Sequence, residues 1–248
     1  MIHYHGTPIG GRRVDAAEFL RGRHALIPLP RPDDLAVAME VCASFVLDNG
    51  AFSIWRRGGV LDVDAYTQWA ADVSRHPGFD WALIPDVIDG DESENDAMLA
   101  DWPRSVRGVP VYHLHESLDR AGRLANEWET VAIGSSGEWP TPGAPKWWRR
   151  MAEVMGVMCD EGGRPKCKLH GLRMLNPAVF SSLPLKSADS TNCGQNGTRN
   201  GKSIDEALTS GQGATITAWR IEAHNSSATW TPSASVLCKL SPQQAFDW

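Results

Sequence analysis

The chain has 248 residues, 42% of them hydrophobic and 22% charged, which suits one α/β barrel or two small domains and excludes disorder as the default. No stretch reaches the roughly 18 apolar residues that cross a bilayer, and the opening MIHYHGTPIGG lacks the basic flank and apolar run of a signal peptide, so a cytoplasmic protein with no membrane partner is expected. A net charge of −6 is not the footprint of a protein that coats nucleic acid, and five cysteines without a CxxC pair argue against a disulfide framework or a four-thiolate zinc site.

Taken in order, segments rich in apolar and β-branched residues predict strands at Ile2 to His5, Ala25 to Pro28, Ala43 to Leu47 and Trp81 to Pro85. Four more follow at Val109 to Leu114, Thr130 to Ile133, Lys166 to His170 and Leu183 to Ser187. Helical spacing fills the gaps: Asp15 to Arg21, Asp33 to Val41, Asp64 to Arg75, Ser93 to Trp102, Ser117 to Glu127, Pro145 to Cys159 and Pro177 to Ser181, several opening on an Asp or Ser cap. Eight strand–helix alternations predict an α/β (β/α)8 TIM barrel. A doubly wound sheet is the competitor, but no GxGxxG follows the first strand. With no linker in sight, the expected organisation is one barrel domain over residues 1–203 and a C-terminal extension over 204–248. Within that extension, Ile204 to Leu208 reads as a short helix, while Thr215 to Trp219 and Ser235 to Leu240 resist assignment.

Chemistry in such barrels sits where strands end. The third strand runs into Asp48-Asn49-Gly50-Ala51-Phe52, small residues that let a ligand approach the backbone, and the fourth into Pro85-Asp86. The fifth carries His113-Leu114-His115, whose imidazoles share a face if the strand persists. The sixth ends in Gly134-Ser135-Ser136-Gly137-Glu138, with free amides for a polar ring edge or an anion, and the seventh in His170-Gly171. The eighth climbs into Asp189 and dissolves into a loop rich in Asn, Gly, Ser and Thr. A single Asp can be a helix cap or a turn residue. Three at corresponding tips suggest glycosyl transfer by an attacking carboxylate, or metal-assisted hydrolysis. From Pro145 to Arg173, seven basic residues (Lys146, Arg149, Arg150, Arg164, Lys166, Lys168, Arg173) against three acids (Glu153, Asp160, Glu161) leave +4 on one stretch, either a solvated face or a phosphate-tracking patch. Lys146, Arg149 and Arg150, with Arg199 and Lys202 in the loop after strand eight, are the candidate nucleic-acid contacts.

These tips resemble those of the tRNA-guanine transglycosylase family, (β/α)8 barrels that exchange a guanine for a 7-deazaguanine. Leu47-Asp48-Asn49-Gly50-Ala51-Phe52 resembles the family's LDSGGFQ, and Ile84-Pro85-Asp86 its strand-four acid. Gly137-Glu138 resembles the end of its AVGE loop, His170-Gly171 its MG-type turn, and Ala188-Asp189-Ser190-Thr191-Asn192 its nucleophile segment. The likeness spans residues 43–193, and the opening HYHGTPIGG with the compact length is most similar to the short phage and bacterial branch that places deazaguanines in DNA. The resemblance implies Asp189 as nucleophile at C1′, Asp48 as general acid and base, and Asp86 as acceptor for N1–H and the exocyclic amine. It places His115 at the carbonyl oxygen of the base, where the family has Gln. Asn49 and Gly50 form its small-residue turn, Phe52 stacks on the base, and Gly134, Ser135, Gly137, Glu138, His170 and Gly171 line the base pocket. It implies nucleic acid (DNA before tRNA) and a 7-deazaguanine such as preQ0 as partners. The family's zinc motif, CxCxxC with a later His, is absent, since only Cys193 and Cys238 lie downstream. No cofactor is therefore expected.

The competing assignment is a metal-dependent amidohydrolase-type barrel acting on a nucleobase-like molecule. There His3-x-His5 at strand one, His113 or His115, His170 and Asp189 would hold a water-activating zinc.

Overall fold

The computed structural model describes residues 1–8, 13–29, 32–194 and 210–231. Its strands are β1 (Ile2–Gly6), β2 (His24–Pro28), β3 (Ser44–Asp48), β4 (Phe79–Leu83), β5 (Gly108–Val109), β6 (Val111–His113), β7 (Thr130–Gly134), β8 (Lys168–Gly171) and β9 (Ser187–Ser190). Among the described residues the helices are α1 (Arg13–Leu20), α2 (Pro32–Val41), α3 (Ala51–Trp55), α4 (Val63–Val73), α5 (Glu92–Asp101), α6 (Leu118–Glu127), α7 (Pro145–Met158), α8 (Pro177–Phe180) and α9 (Ser210–Glu222). Every strand pairing is parallel, in the order β5-β4-β3-β2-β1-β9-β8-β7-β6.

The two ends of that order are one stretch of chain. Only Pro110, which has no N–H, separates β5 from β6, and the ladder changes partner there. Upstream, the Val109 carbonyl accepts from Ile84 N–H on the β4 side; at the break, the Pro110 carbonyl accepts from Ala132 N–H of β7. This broken fifth strand joins both edges, so the nine segments form an α/β barrel of eight strand positions, as the alternation of elements predicts.

Parity along each strand then divides the core in two. Tyr4, Leu26, Val46, Trp81, Leu83, Val109, Val111 and Ala132 pack together inside the ring. Their neighbours in sequence, among them Ile27, Phe45, Leu47, Ala82, Tyr112 and Ile133, pack against the helices. Amphipathic helices complete that outer layer. In α7, Pro145 takes the first helical position, and Trp147, Trp148, Met151, Val154, Met155 and Met158 form its buried stripe. The Ser117 hydroxyl caps α6 by accepting from Arg120 N–H, and Asp91 with Glu94 forms a capping box on α5. No helix among the described residues is long and apolar enough to cross a membrane.

The N-terminal end of the ring is closed by polar groups. Three residues of β3, Phe45 to Leu47, face four of β4, Phe79 to Ala82, and beside this bulge Asp80 accepts from the Tyr4 hydroxyl at 2.6 Å. Ser44 donates to the same carboxylate oxygen, and His24 Nδ1 lies 2.7 Å from the Ser44 hydroxyl.

Three elements depart from expectation. The eighth strand is Ser187–Ser190 rather than Leu183 to Ser187, because Leu183 and Leu185 are buried in the outer layer and the ladder with β1 pairs Ile2 with Ser187 and Tyr4 with Asp189. Apolar content there reports burial and not a strand. The short helix α3 was not anticipated after Gly50. The unassigned Thr215 to Trp219 lies within α9, which packs beside α1. Ile204 to Leu208 and Ser235 to Leu240 fall outside the described residues.

Arg120 is buried on α6, where it donates to Glu116 Oε2 at 2.6 Å and to the Val111 carbonyl at 3.1 Å. Replacing it by Met strands Glu116 in the interior with no cation, so Arg120→Met should lose about 3–5 kcal/mol of stability, read as a lower urea midpoint at unchanged m-value.

Candidate active site

The turn after β3 is built by its own side chains. Asp48, inward by parity with Ser44 and Val46, accepts the Gly50 N–H at 2.9 Å, and Asn49 Oδ1 accepts the Ala51 N–H at 2.8 Å. Gly50 has φ 72, a left-handed conformation that favours glycine, and from it the chain enters α3. The remaining end of Asn49 crosses to the next strand tip, where its Nδ2 donates to the Ile84 carbonyl at 3.1 Å and to Asp86 Oδ1 at 2.8 Å. The other oxygen of Asp86 lies 2.9 Å from His113 Nε2. Both oxygens are thus oriented, and each keeps a lone pair for a further donor.

Across the ring, Asp189 is 5% exposed within β9 and accepts the Arg173 N–H at 3.0 Å. Beneath it His170 is fully buried, with Nδ1 2.8 Å from the Ser187 hydroxyl and its ring edge-on to Trp81 and Tyr4. His170 Nε2 stands 3.3 Å from Asp189 Oδ1, but it is not aligned as a hydrogen bond and has no other partner among the described residues.

The acids at the mouth act on one another. Burial pushes the Asp48 carboxyl up to about 7; the Gly50 N–H opposes the rise, and the charges of Asp189 and then Asp86 add to it. A carboxyl poised there can give up and take back a proton at neutral pH.

The other expected site residues divide. His115 stacks on His113 with centroids 5.5 Å apart, and its Nδ1 lies 2.8 Å from Ser136 Oγ. It borders a cleft of about 340 Å³ lined also by Asp89, Gly90, Asp91, Glu92 and Glu116. Gly137, at φ 55, permits this packing, since a Cβ there would come 2.8 Å from His115 Cβ. At Gly134 a Cβ would lie 3.3 Å from His113 Nδ1. The Ser135 carbonyl accepts from Arg173, and its hydroxyl from the Trp147 indole. Glu138 points to solvent and pairs with Lys146 at 2.6 Å. Gly171 faces the outer layer, where a Cβ would meet Leu185 and Met174 at 2.9 Å. Phe52 stands at the rim, 37% exposed.

The basic stretch is mostly occupied. Arg150 is tied to the Leu114 and Glu116 carbonyls and to Glu153, and Lys146 to Glu138. Arg149 is exposed, while Arg199 and Lys202 lie outside the described residues.

The roles of two residues at the mouth escaped the sequence reading. His113, rather than its neighbour at 115, holds Asp86. Arg173 spans the rim from the far side, with φ 58, its guanidinium 3.2 Å from the Ser135 carbonyl and its Cζ 4.5 Å over the Phe52 ring. Neither leaves a motif. The strand-one histidines of the amidohydrolase assignment turn away from Asp189, because Tyr4 takes the inward place between them. His5 binds Glu222 at 2.8 Å, and His3 lies 3.1 Å from the His224 carbonyl, both on the helix side. Among the described residues no cluster of His, Cys, Asp or Glu has metal-binding geometry.

Neither a protein-family model nor a curated protein matches the chain.

The raised Asp48 value predicts how stability depends on pH. A carboxyl that titrates near 7 when folded and 3.8 when unfolded holds more protons in the native state across that window, so stability is lost as pH rises through it. Asp48→Asn, whose Oδ1 can still accept the Gly50 N–H, has no such loss. Its urea midpoint relative to wild type should therefore climb from pH 4 to about pH 7 and then level off, and a flat difference throughout would contradict the assigned shift.

Proposed function

We propose that this barrel is a guanine transglycosylase, exchanging guanine in a polynucleotide for a 7-deazaguanine such as preQ0. The reading rests on one observation above all: Asp48, Asp86 and Asp189 come from three strand ends to one mouth, and Asp48 carries a proton near neutrality because burial disfavours its charge and the two neighbouring acids add to that. Glycosyl exchange through a covalent intermediate needs three such roles, a nucleophile, a proton shuttle and a group that reads the base.

In the first half-reaction an Asp189 oxygen attacks C1′, the bond from C1′ to guanine N9 breaks, and its electron pair takes the proton that Asp48 delivers. The Arg173 N–H fixes the attacking carboxylate, and the His170 ring lies beneath it. In the second, Asp48 removes the N9 proton of the incoming base, N9 attacks C1′, and the sugar ester breaks to release Asp189. Two displacements retain configuration at C1′. The open lone pairs of Asp86, held by Asn49 and His113, accept N1–H and the exocyclic amine. The stacked His113 and His115 form a wall beside the base.

DNA is the favoured polymer, on the likeness of the opening residues to the DNA-modifying branch, and the reaction is placed in the cytoplasm. A duplex target would have to unstack the nucleotide first.

Incubation with labelled preQ0 and either DNA or tRNA should transfer label to polymer. Asp189→Asn should abolish both the transfer and the denaturant-resistant protein–nucleic acid adduct, and survival of that adduct would remove Asp189 from its role. Asp86→Ala should weaken binding of the free base by tenfold or more, about the worth of a charge-assisted hydrogen bond; unchanged affinity would discard the assignment.

A further inference from the structure

An enzyme that acts on one nucleotide of a polymer must hold the neighbouring nucleotides, and the basic stretch around α7 is a poor candidate for that task. Its Lys146 and Arg150 are committed to Glu138, Glu153 and backbone carbonyls. The opposite rim has the reverse character. The helix α3 leaves Asp48 through Asn49 and Gly50 and presents Phe52 and Trp55, 37% and 45% exposed, with ring centroids 6.0 Å apart. Arg56 and Arg57 follow, both exposed, and neither has an ion pair among the described residues. The first acid beyond them, Asp62, is occupied as the cap of α4 by accepting the Ala65 N–H. Arg173 adds a third cation, its guanidinium lying over Phe52 while its own N–H binds Asp189.

Exposed aromatic faces interleaved with unpaired arginines are what a single strand of nucleic acid requires. Unpaired bases stack on the rings and the phosphates meet the cations, without need of a sequence code. We propose that α3 and the turn after it, with Arg173, form the docking platform for a single-stranded polynucleotide. Bases beside the target stack on Trp55, and their phosphates bind Arg56, Arg57 and Arg173. Since one face of Phe52 is covered by Arg173, Trp55 offers the freer stacking surface. The platform begins three residues after Asp48 and is linked through Arg173 to Asp189, so a strand lying on it passes directly over the acids. This deepens the base-exchange reading and rests on it for the position of the target nucleotide, but binding alone tests it.

Short fluorescent guanine-containing oligonucleotides, deoxy and ribo, are titrated with the full chain over a salt series and followed by anisotropy. Binding of either sugar form, tighter for single strands than for the matching duplex, supports the platform. Arg56→Ala combined with Arg57→Ala should flatten the dependence of log affinity on log salt by about 1.4, at roughly 0.7 per phosphate contact on a single strand. Trp55→Ala should weaken binding about tenfold at fixed salt. Both sites are exposed, and circular dichroism with a thermal melt establishes that the variants are folded. Unchanged affinity and salt slope in folded variants, or a preference for duplex, overturns the proposal. A wild-type protein that binds in this way but transfers no preQ0 sinks the exchange reading and leaves the platform standing. Exchange that proceeds in the variants at unaltered KM for polymer sinks the platform alone.

Discussion

Closure of the ring at Pro110 is the constraint from which the rest of the molecule follows. A parallel strand must find a partner on each side or leave backbone groups unpaired, and the fifth strand satisfies two neighbours by serving β4 with its first half and β7 with its second. A proline is suited to that break, since it gives a carbonyl to one ladder and owes no N–H to the other. Once the ring is closed, parity fixes which side chains face inward. Tips that lie far apart in sequence, at 48, 86, 113 and 189, then share one opening.

Gathering carboxylates in a buried mouth is unfavourable unless each is supported, and the supports differ. Asp189 takes a backbone N–H, Asp48 takes the amide of its own turn, and Asp86 takes two side-chain groups from neighbouring strand tips. What this support leaves uncompensated falls on Asp48, which holds a proton where an isolated aspartate would not. Division of labour among like residues is thus a product of their surroundings. Nothing in the identity of the three side chains distinguishes an attacking group from a proton carrier or a base reader.

Much of this was legible in the sequence. Eight runs of apolar and β-branched residues separated by capped helical stretches announce the barrel, and three acids at the tips mark its mouth. Elsewhere composition misled for physical reasons. The run from Leu183 to Leu185 is apolar because it is buried under the helices, while the true strand, Ser187–Ser190, is polar because Ser187 meets the buried His170 and Asp189 stands at the mouth. His3 and His5 look like a metal motif, but inward parity belongs to the tyrosine between them. Arg173 adopts a left-handed backbone that non-glycine residues rarely take, and only the fold shows that the loop bearing it curls over the rim. The basic count around α7 overstated that surface, since a tally of charges does not record which are already neutralised.

The far end of the lumen has a consequence for the order of events. Tyr4, Asp80, Ser44 and His24 join across it with directional bonds, and above them Tyr4, Val46, Trp81 and Leu83 pack inside the ring. Under the proposed exchange the acids are therefore approached from the mouth. For a base exchange, the departing purine must leave by the route its replacement takes, so the two cannot cross inside. The sugar must wait on the protein while the recess empties, which is the kinetic situation a covalent ester is suited to bridge.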